Sequence, residues 1–195
     1  MNRVASRKRL TTETDIDVRL SLDEGPGSSI ETGVGFFDHM LTHIARHGRF
    51  NLSVCCKGDL YVDAHHTVED TGILLGECLR DALGDKRGIE RYGSAVVPMD
   101  ESLVLVSLDL SGRASFHSDL NLPPAEIGHM NAELVDEFLR AFSHSALMNL
   151  HVRRLAGGNL HHLAEATFKA LGRALRDAVT IRDGDADIPS TKGVL

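Results

Sequence analysis

His65-His66-Thr67-Val68-Glu69 recurs as His161-His162-Leu163-Ala164-Glu165, 96 residues further along a chain of 195. Imidazole and carboxylate are donors that divalent first-row ions such as manganese, iron, cobalt or zinc accept, and no thiolate adjoins either copy to suggest a cysteine-rich structural zinc site. On a helix His65 and Glu69 stand at i and i+4, one above the other, as do His161 and Glu165, whereas His66 and His162 are turned by about 100° and face elsewhere. One helix start therefore offers donors in two directions, which reads as two metals per site. A single copy reads equally well as a histidine pair at a polar helix start. Two matched copies, half a chain apart, argue instead for an internal duplication in which each half supplies one cluster.

The elements that must position these donors follow the same repeat. Thr14 to Leu22 alternates polar and apolar residues, the period of a half-buried strand, and Ser29 to Thr32 is expected to complete a hairpin with it across the turn at Glu24-Gly25-Pro26-Gly27. Phe36, Phe37, Met40, Leu41, Ile44 and Ala45 recur at helical spacing, with Gly48 where a C-terminal cap belongs. A strand over residues 50–57 and a helix from the first histidine pair to near Gly84 complete the first half. In the second half the strands are expected at 102–110, 113–119 and 149–155, and the helices at 133–148 and 161–181. The chain is therefore expected to be α+β, an internal duplication of two β-β-α-β-α halves, each a sheet with its helices on one face. The halves span residues 1–92 and 93–182, and residues 183–195 form a polar tail suited to closing on an anionic ligand.

Composition sets the outer bounds. With 42% hydrophobic residues the chain can bury a sizeable core. A formal charge of −7 disfavours nucleic acid and anionic membrane as partners. No apolar run approaches the roughly 18 residues needed to span a bilayer, and the basic, polar start of the chain does not read as a secretory leader. Cys55, Cys56 and Cys78 are odd in number, which argues against a disulfide framework and for a reducing cytoplasm; they read as small packing residues.

Beyond the repeat, Gly35-Phe36-Phe37-Asp38-His39-Met40-Leu41, the run from Asp63 to Asp70, Gly157 to Lys169 and Pro189-Ser190-Thr191-Lys192-Gly193 together resemble the imidazoleglycerol-phosphate dehydratase family over nearly the whole chain. The resemblance implies a cytoplasmic enzyme of histidine biosynthesis that dehydrates D-erythro-imidazole-glycerol phosphate to imidazole-acetol phosphate. It also implies two manganese ions per site and a 24-subunit homo-oligomer whose neighbouring subunits complete each site. Carried over position by position, it makes His39, His65, His66, Glu69, His161, His162 and Glu165 metal ligands. Glu137 stands where plant-like members have a histidine, and its carboxylate still offers an oxygen donor. The resemblance further implies that Glu13 and His47 contact substrate and are the acid/base candidates, and that Arg91, Arg113, Lys169, Ser190 and Lys192 hold substrate and its phosphate. His43, His117, His129, His144 and His151 lack repeated partners and read as structural, while Asp100 and Glu101 receive no role.

The implied reaction explains why such a site is needed. The substrate carries a hydroxyl on the carbon attached to the ring and a hydrogen on the next carbon, neither activated by a carbonyl. Loss of a ring proton would let the heterocycle push electrons outward and expel hydroxide; loss of the neighbouring C–H proton then gives an enol that becomes the ketone. A two-metal hydrolase and a metal-storing cage are the competing readings. The chain lacks both H-E-x-x-H and a glycine-rich phosphate loop.

Overall fold

The computed structural model describes residues 3–182, 187–193 and 195; positions 183–186 and 194 of the expected tail lie outside the described residues. The first half runs β1 (Val4–Leu10), β2 (Thr14–Ser21), β3 (Gly27–Glu31), α1 (Gly35–Gly48), β4 (Asn51–Gly58) and α2 (His65–Leu83). The second runs β5 (Tyr92–Met99), β6 (Ser102–Asp109), β7 (Ser115–Ser118), a small hairpin of β8 (Glu126–Ile127) and β9 (Met130–Asn131), then α3 (Leu134–Ser145), β10 (Asn149–Ala156) and α4 (Leu160–Val179). The sheets are ordered β1-β2-β4-β3 and β5-β6-β10-β7, the same topology written twice. The α+β class and the repeated order are as expected, with one strand more at the start of each half.

The additional strands have weak sequence signals for physical reasons. In β1 the half-buried positions include Arg7 and Arg9 rather than apolar residues, because they reach acids of α2: Arg7 pairs with Glu77 and Asp81, and Arg9 with Asp70. In β5 the inward position Gly93 lies against the backbone of α4 at Ala174, so a side chain is excluded where a strand would otherwise show one, and Pro98 breaks the pattern further.

The expected hairpin between the second and third strands of the first half is replaced by another pairing. β3 lies parallel to β4, and β4 is antiparallel to β2. The reason is apolar content: β4 turns Leu52, Val54 and Cys56 into the core and takes a central place, whereas β3 offers one large apolar residue, Ile30, and takes the edge. β7 repeats this arrangement beside β10.

Helices fill the space between the sheets, with α1 packed along α4 and α2 along α3. Phe138 of α3 joins both pairs, meeting Phe37 edge-on at 5.4 Å and stacking on Phe168 at 5.3 Å between ring centroids. Two glycines at matched positions set the crossings. A Cβ on Gly76 would stand 2.5 Å from Phe142 O and 2.9 Å from Ala146 N, and one on Gly172 would stand 3.0 Å from both Ile44 O and Gly48 N. Phe142 and Ala146 stand 98 positions after Ile44 and Gly48, so this contact pairs α3 with α1 residue by residue and makes Glu137 the counterpart of His39. No helix among the described residues is long and apolar enough to cross a membrane.

Candidate metal and anion site

Local caps aim each donor. Asp38 accepts hydrogen bonds from Thr32 N and Thr32 Oγ1, which anchors the entry to α1 one residue before His39. Asp63 Oδ1, just ahead of the Ala64 N-cap of α2, accepts from His65 N at 2.7 Å, and Asn159 Oδ1, at the N-cap of α4, accepts from His162 N at 3.2 Å, so a side chain anchors the entry to each histidine pair. The two pairs share one geometry, with ring centroids 6.0 Å apart at 81° in the first and 6.2 Å at 81° in the second.

Around Glu165 the structure gathers His39, His43, His161 and Lys169. His39 Nε2 lies 3.3 Å and His161 Nε2 3.1 Å from Glu165 Oε2, while His43 Nε2 lies 3.4 Å and Lys169 Nζ 2.6 Å from Oε1. Burial opposes ionisation of this carboxyl, but Lys169 and His161 outweigh it and bring the pKa down to about 2. Burial likewise lowers the His43 imidazole to about 4, against the pull of Glu165. His47, one turn further along α1, is pushed down first by burial and then by Lys169 and Arg173. A carboxylate facing several imidazoles is a donor set that fits a divalent first-row ion.

The first pair is looser. His65 Nε2 is 3.8 Å from Glu69 Oε2, and His65 and Glu137 line one shallow depression in which Glu137 is paired with Arg140 at 2.9 Å. His66 places Nδ1 3.0 Å from Asp59 and Nε2 3.7 Å from Glu13. In the second half His162 places Nδ1 2.8 Å from Glu101 and Nε2 3.6 Å from Asp100. A carboxylate on Nδ1 fixes the tautomer that leaves Nε2 free to ligate, so Asp59 and Glu101 act as orienting groups that sequence reasoning left without a role. The signal was present: Glu13 and Glu101 each directly precede an inner strand, β2 and β6. The same hydrogen bonds raise the His66 and His162 pKa values and hold Glu101 down at about 2.

A third locus is cationic. Arg91, Arg113, Arg182, Ser190 and Lys192 line a cavity of about 680 Å³, together with Pro189 and Thr191. Arg91 is fixed by Asp109 at 2.7 Å and by Pro189 O at 2.8 Å. Arg182 was not anticipated from sequence. Lys169 pairs with Glu165, one turn back on the same face of α4. Among the described residues the Glu165 cluster, the His65 cluster and the cationic cavity share no side chain.

Comparison with known proteins decides the family. The imidazoleglycerol-phosphate dehydratase family model matches residues 32–175. The chain belongs to this family. It is 56% identical over 195 residues to the imidazoleglycerol-phosphate dehydratase of Moorella thermoacetica and 55% identical over 195 residues to that of Desulforamulus reducens, each covering all of both chains. The crystal structure of the Staphylococcus aureus dehydratase superposes with a TM-score of 0.83 at 38% identity, covering 91% of this chain and 99% of the other. That of the Pyrococcus furiosus enzyme, in complex with (S)-C348, gives a TM-score of 0.83 at 39% identity, covering 97% and 100%. As a member of the dehydratase family, the chain is a hydro-lyase.

Proposed function

We propose that this chain dehydrates D-erythro-imidazole-glycerol phosphate to imidazole-acetol phosphate and water in L-histidine biosynthesis, in the cytoplasm, with two manganese ions per site. The observation that carries the reading is the pair of capped histidine doublets of matched geometry, each with a carboxylate one turn on, beside a separate cationic cavity. His39, His161 and Glu165 hold one ion from one protomer, and His65, His66, Glu69, Glu137 and His162 supply the remaining donors. When bound, the ions supply Lewis acidity and a template for the substrate. The chain's own residues do the rest. Asp59 and Glu101 hold the Nδ1 protons of His66 and His162, so that both rings present Nε2. Glu13, beside His66, is placed to take or return a proton at the reacting carbons, with His47 contacting substrate from α1. Arg91, Arg113, Ser190 and Lys192 take the phosphate, and Lys169 lies beside the donor cluster to complete the substrate contacts.

Separated clusters also support completion of each site between subunits, in a homo-oligomer of 24. Leu60, Tyr61 and Val62 stand three to five residues before His65, and Tyr61 is 91% exposed. Contiguous exposed apolar residues beside half a site favour a protein partner, here another copy of the chain. The test is turnover. Purified protein supplied with manganese is expected to release imidazole-acetol phosphate, and a chelator to abolish the reaction. Full metal uptake with the substrate untouched would favour a storage cage or a two-metal hydrolase. His66→Ala is expected to reduce both metal content and assembly, and a variant that keeps both counts against the inter-subunit arrangement.

A further inference from the structure

Lys86 is buried behind the cationic cavity. The residue is 6% exposed, and its Nζ donates to Leu110 O at 3.0 Å. A Cβ built on Gly112 would stand 3.7 Å from the same Nζ, so the ammonium lies beneath the turn that runs from Asp109 to Arg113. That turn carries one cavity arginine, Arg113, and adjoins the other, because Leu110 N donates to Arg91 O at 3.1 Å. The duplication delivers a second cation to the same place. The segments that follow α2 and α4 meet at the Ile89–Ile181 bridge, and Arg182, 96 positions after Lys86, lines the cavity.

Asp109 gives both carboxylate oxygens to Arg91, Oδ1 at 2.7 Å and Oδ2 at 3.1 Å, so Arg91 and Asp109 alone form a neutral pair with little net pull on an anion. Lys86 changes that sum. Its hydrogen-bond partner is a neutral carbonyl, and among the described residues no carboxylate oxygen stands within ion-pair distance of it. A charge set in a dry wall is screened less than an exposed one. We propose that Lys86 is a positioning residue for the substrate phosphate: it supplies the net positive charge of the Lys86–Asp109–Arg91 set and, through Leu110, holds the wall from which Arg91 and Arg113 reach the anion. Arg91 contributes directed donors, Asp109 fixes their direction, and Lys86 restores the charge that Asp109 cancels.

This role rests on the phosphate reading of the cavity, and the experiment separates the two. Inorganic phosphate binding to the full, manganese-loaded chain is followed by calorimetry, alongside KM and kcat. Lys86→Met is expected to weaken phosphate about ten-fold and to raise KM by a similar factor, with kcat within about two-fold. Lys86→Arg keeps the charge and is expected to hold phosphate within about three-fold. Adding Asp109→Asn to Lys86→Met returns the set to one net positive charge and is expected to recover most of the lost affinity, whereas a purely structural role predicts further loss. Lys8→Met removes a positive charge from an 82% exposed side chain on β1 and is expected to leave phosphate affinity unchanged. Should Lys86→Met not fold, Lys86→Gln, a neutral residue that still offers a donor, carries the same expectations. Unchanged phosphate affinity on loss of the Lys86 charge, a further loss in the double variant, or an equal loss in Lys8→Met overturns the proposal. A wild-type chain that binds no phosphate, or an Arg113→Ala variant that binds it as tightly as wild type, overturns the phosphate reading itself.

Discussion

The two copies of the histidine–carboxylate motif share a backbone and differ in what surrounds the carboxylate. The Glu165 side chain is 9% exposed and faces Lys169, His43, His39 and His161; the Glu69 side chain is 40% exposed and faces His65 alone among the described residues. The cause is the opposing helix. α1 brings imidazoles at 39 and 43 to α4, and α3 brings Glu137 and Ala141 to α2. Duplication thus preserved the geometry of the donor pairs while the partner helices diverged. One carboxylate became enclosed and the other stayed open.

The sharpest way to break this contrast is to neutralise each carboxylate in turn. Glu165→Gln and Glu69→Gln are both expected to reduce turnover by about 100-fold or more, since each removes a charged donor. Metal-free stability should separate them. Glu165→Gln leaves Lys169 without its carboxylate and is expected to cost roughly 1–3 kcal/mol in denaturant unfolding, whereas Glu69→Gln should change it by less than about 0.5 kcal/mol. Equal losses in both variants would mean that the two environments do not differ in energy as they do in geometry.

Restoring the missing imidazole tests the equivalence of Glu137 and His39. Glu137→His is expected to keep manganese uptake and turnover within a few-fold, and Glu137→Ala to lower metal affinity by about 10- to 100-fold. Unchanged affinity in the alanine variant would assign Glu137 to its ion pair with Arg140 and nothing more.

Much of this was legible in the residues, because the information was carried by spacing. The repeat of 96 positions located both donor pairs, and the helical periodicity around His39 located α1. What escaped was information held between elements. β1 hides because its inward arginines meet acids from α2, and β5 because a helix backbone occupies the place of a side chain at Gly93. The contact of His43 with Glu165 escaped because it depends on α4 lying across α1, which no spacing within α1 records. Glu101 escaped because its partner, His162, stands 61 residues away.

The glycine crossings provide a packing test of the same duplication. An added methyl in a filled interface costs about 1–3 kcal/mol, while exchanging glycine for alanine within a helix returns about 1 kcal/mol. At Gly76 the methyl would meet a carbonyl at 2.5 Å and an amide at 2.9 Å, both backbone, so Gly76→Ala is expected to lose roughly 1–2 kcal/mol by thermal unfolding. At Gly172 the nearest atoms stand at 3.0 Å and a small shift relieves them, so Gly172→Ala is expected to be close to neutral. Reversal of that order would show that the α1–α4 crossing, which carries the donor cluster, is the more rigid of the two.

The smallest effect lies in the outer histidines, where the halves agree in outcome and differ in source. In the metal-free chain both His66 and His162 should titrate above the usual imidazole value, the first through Asp59 and the second through Glu101. A folded pKa above the unfolded one contributes stability that is fully present below about pH 6.5 and is lost as pH rises through the folded midpoint. Both rings are only half-buried, so the shift itself, followed by NMR, is a better readout than unfolding. Glu101→Gln is expected to lower the His162 midpoint and leave His66 where it was; movement of both would mean that the outer histidines are coupled and that the halves do not act as separate electrostatic units.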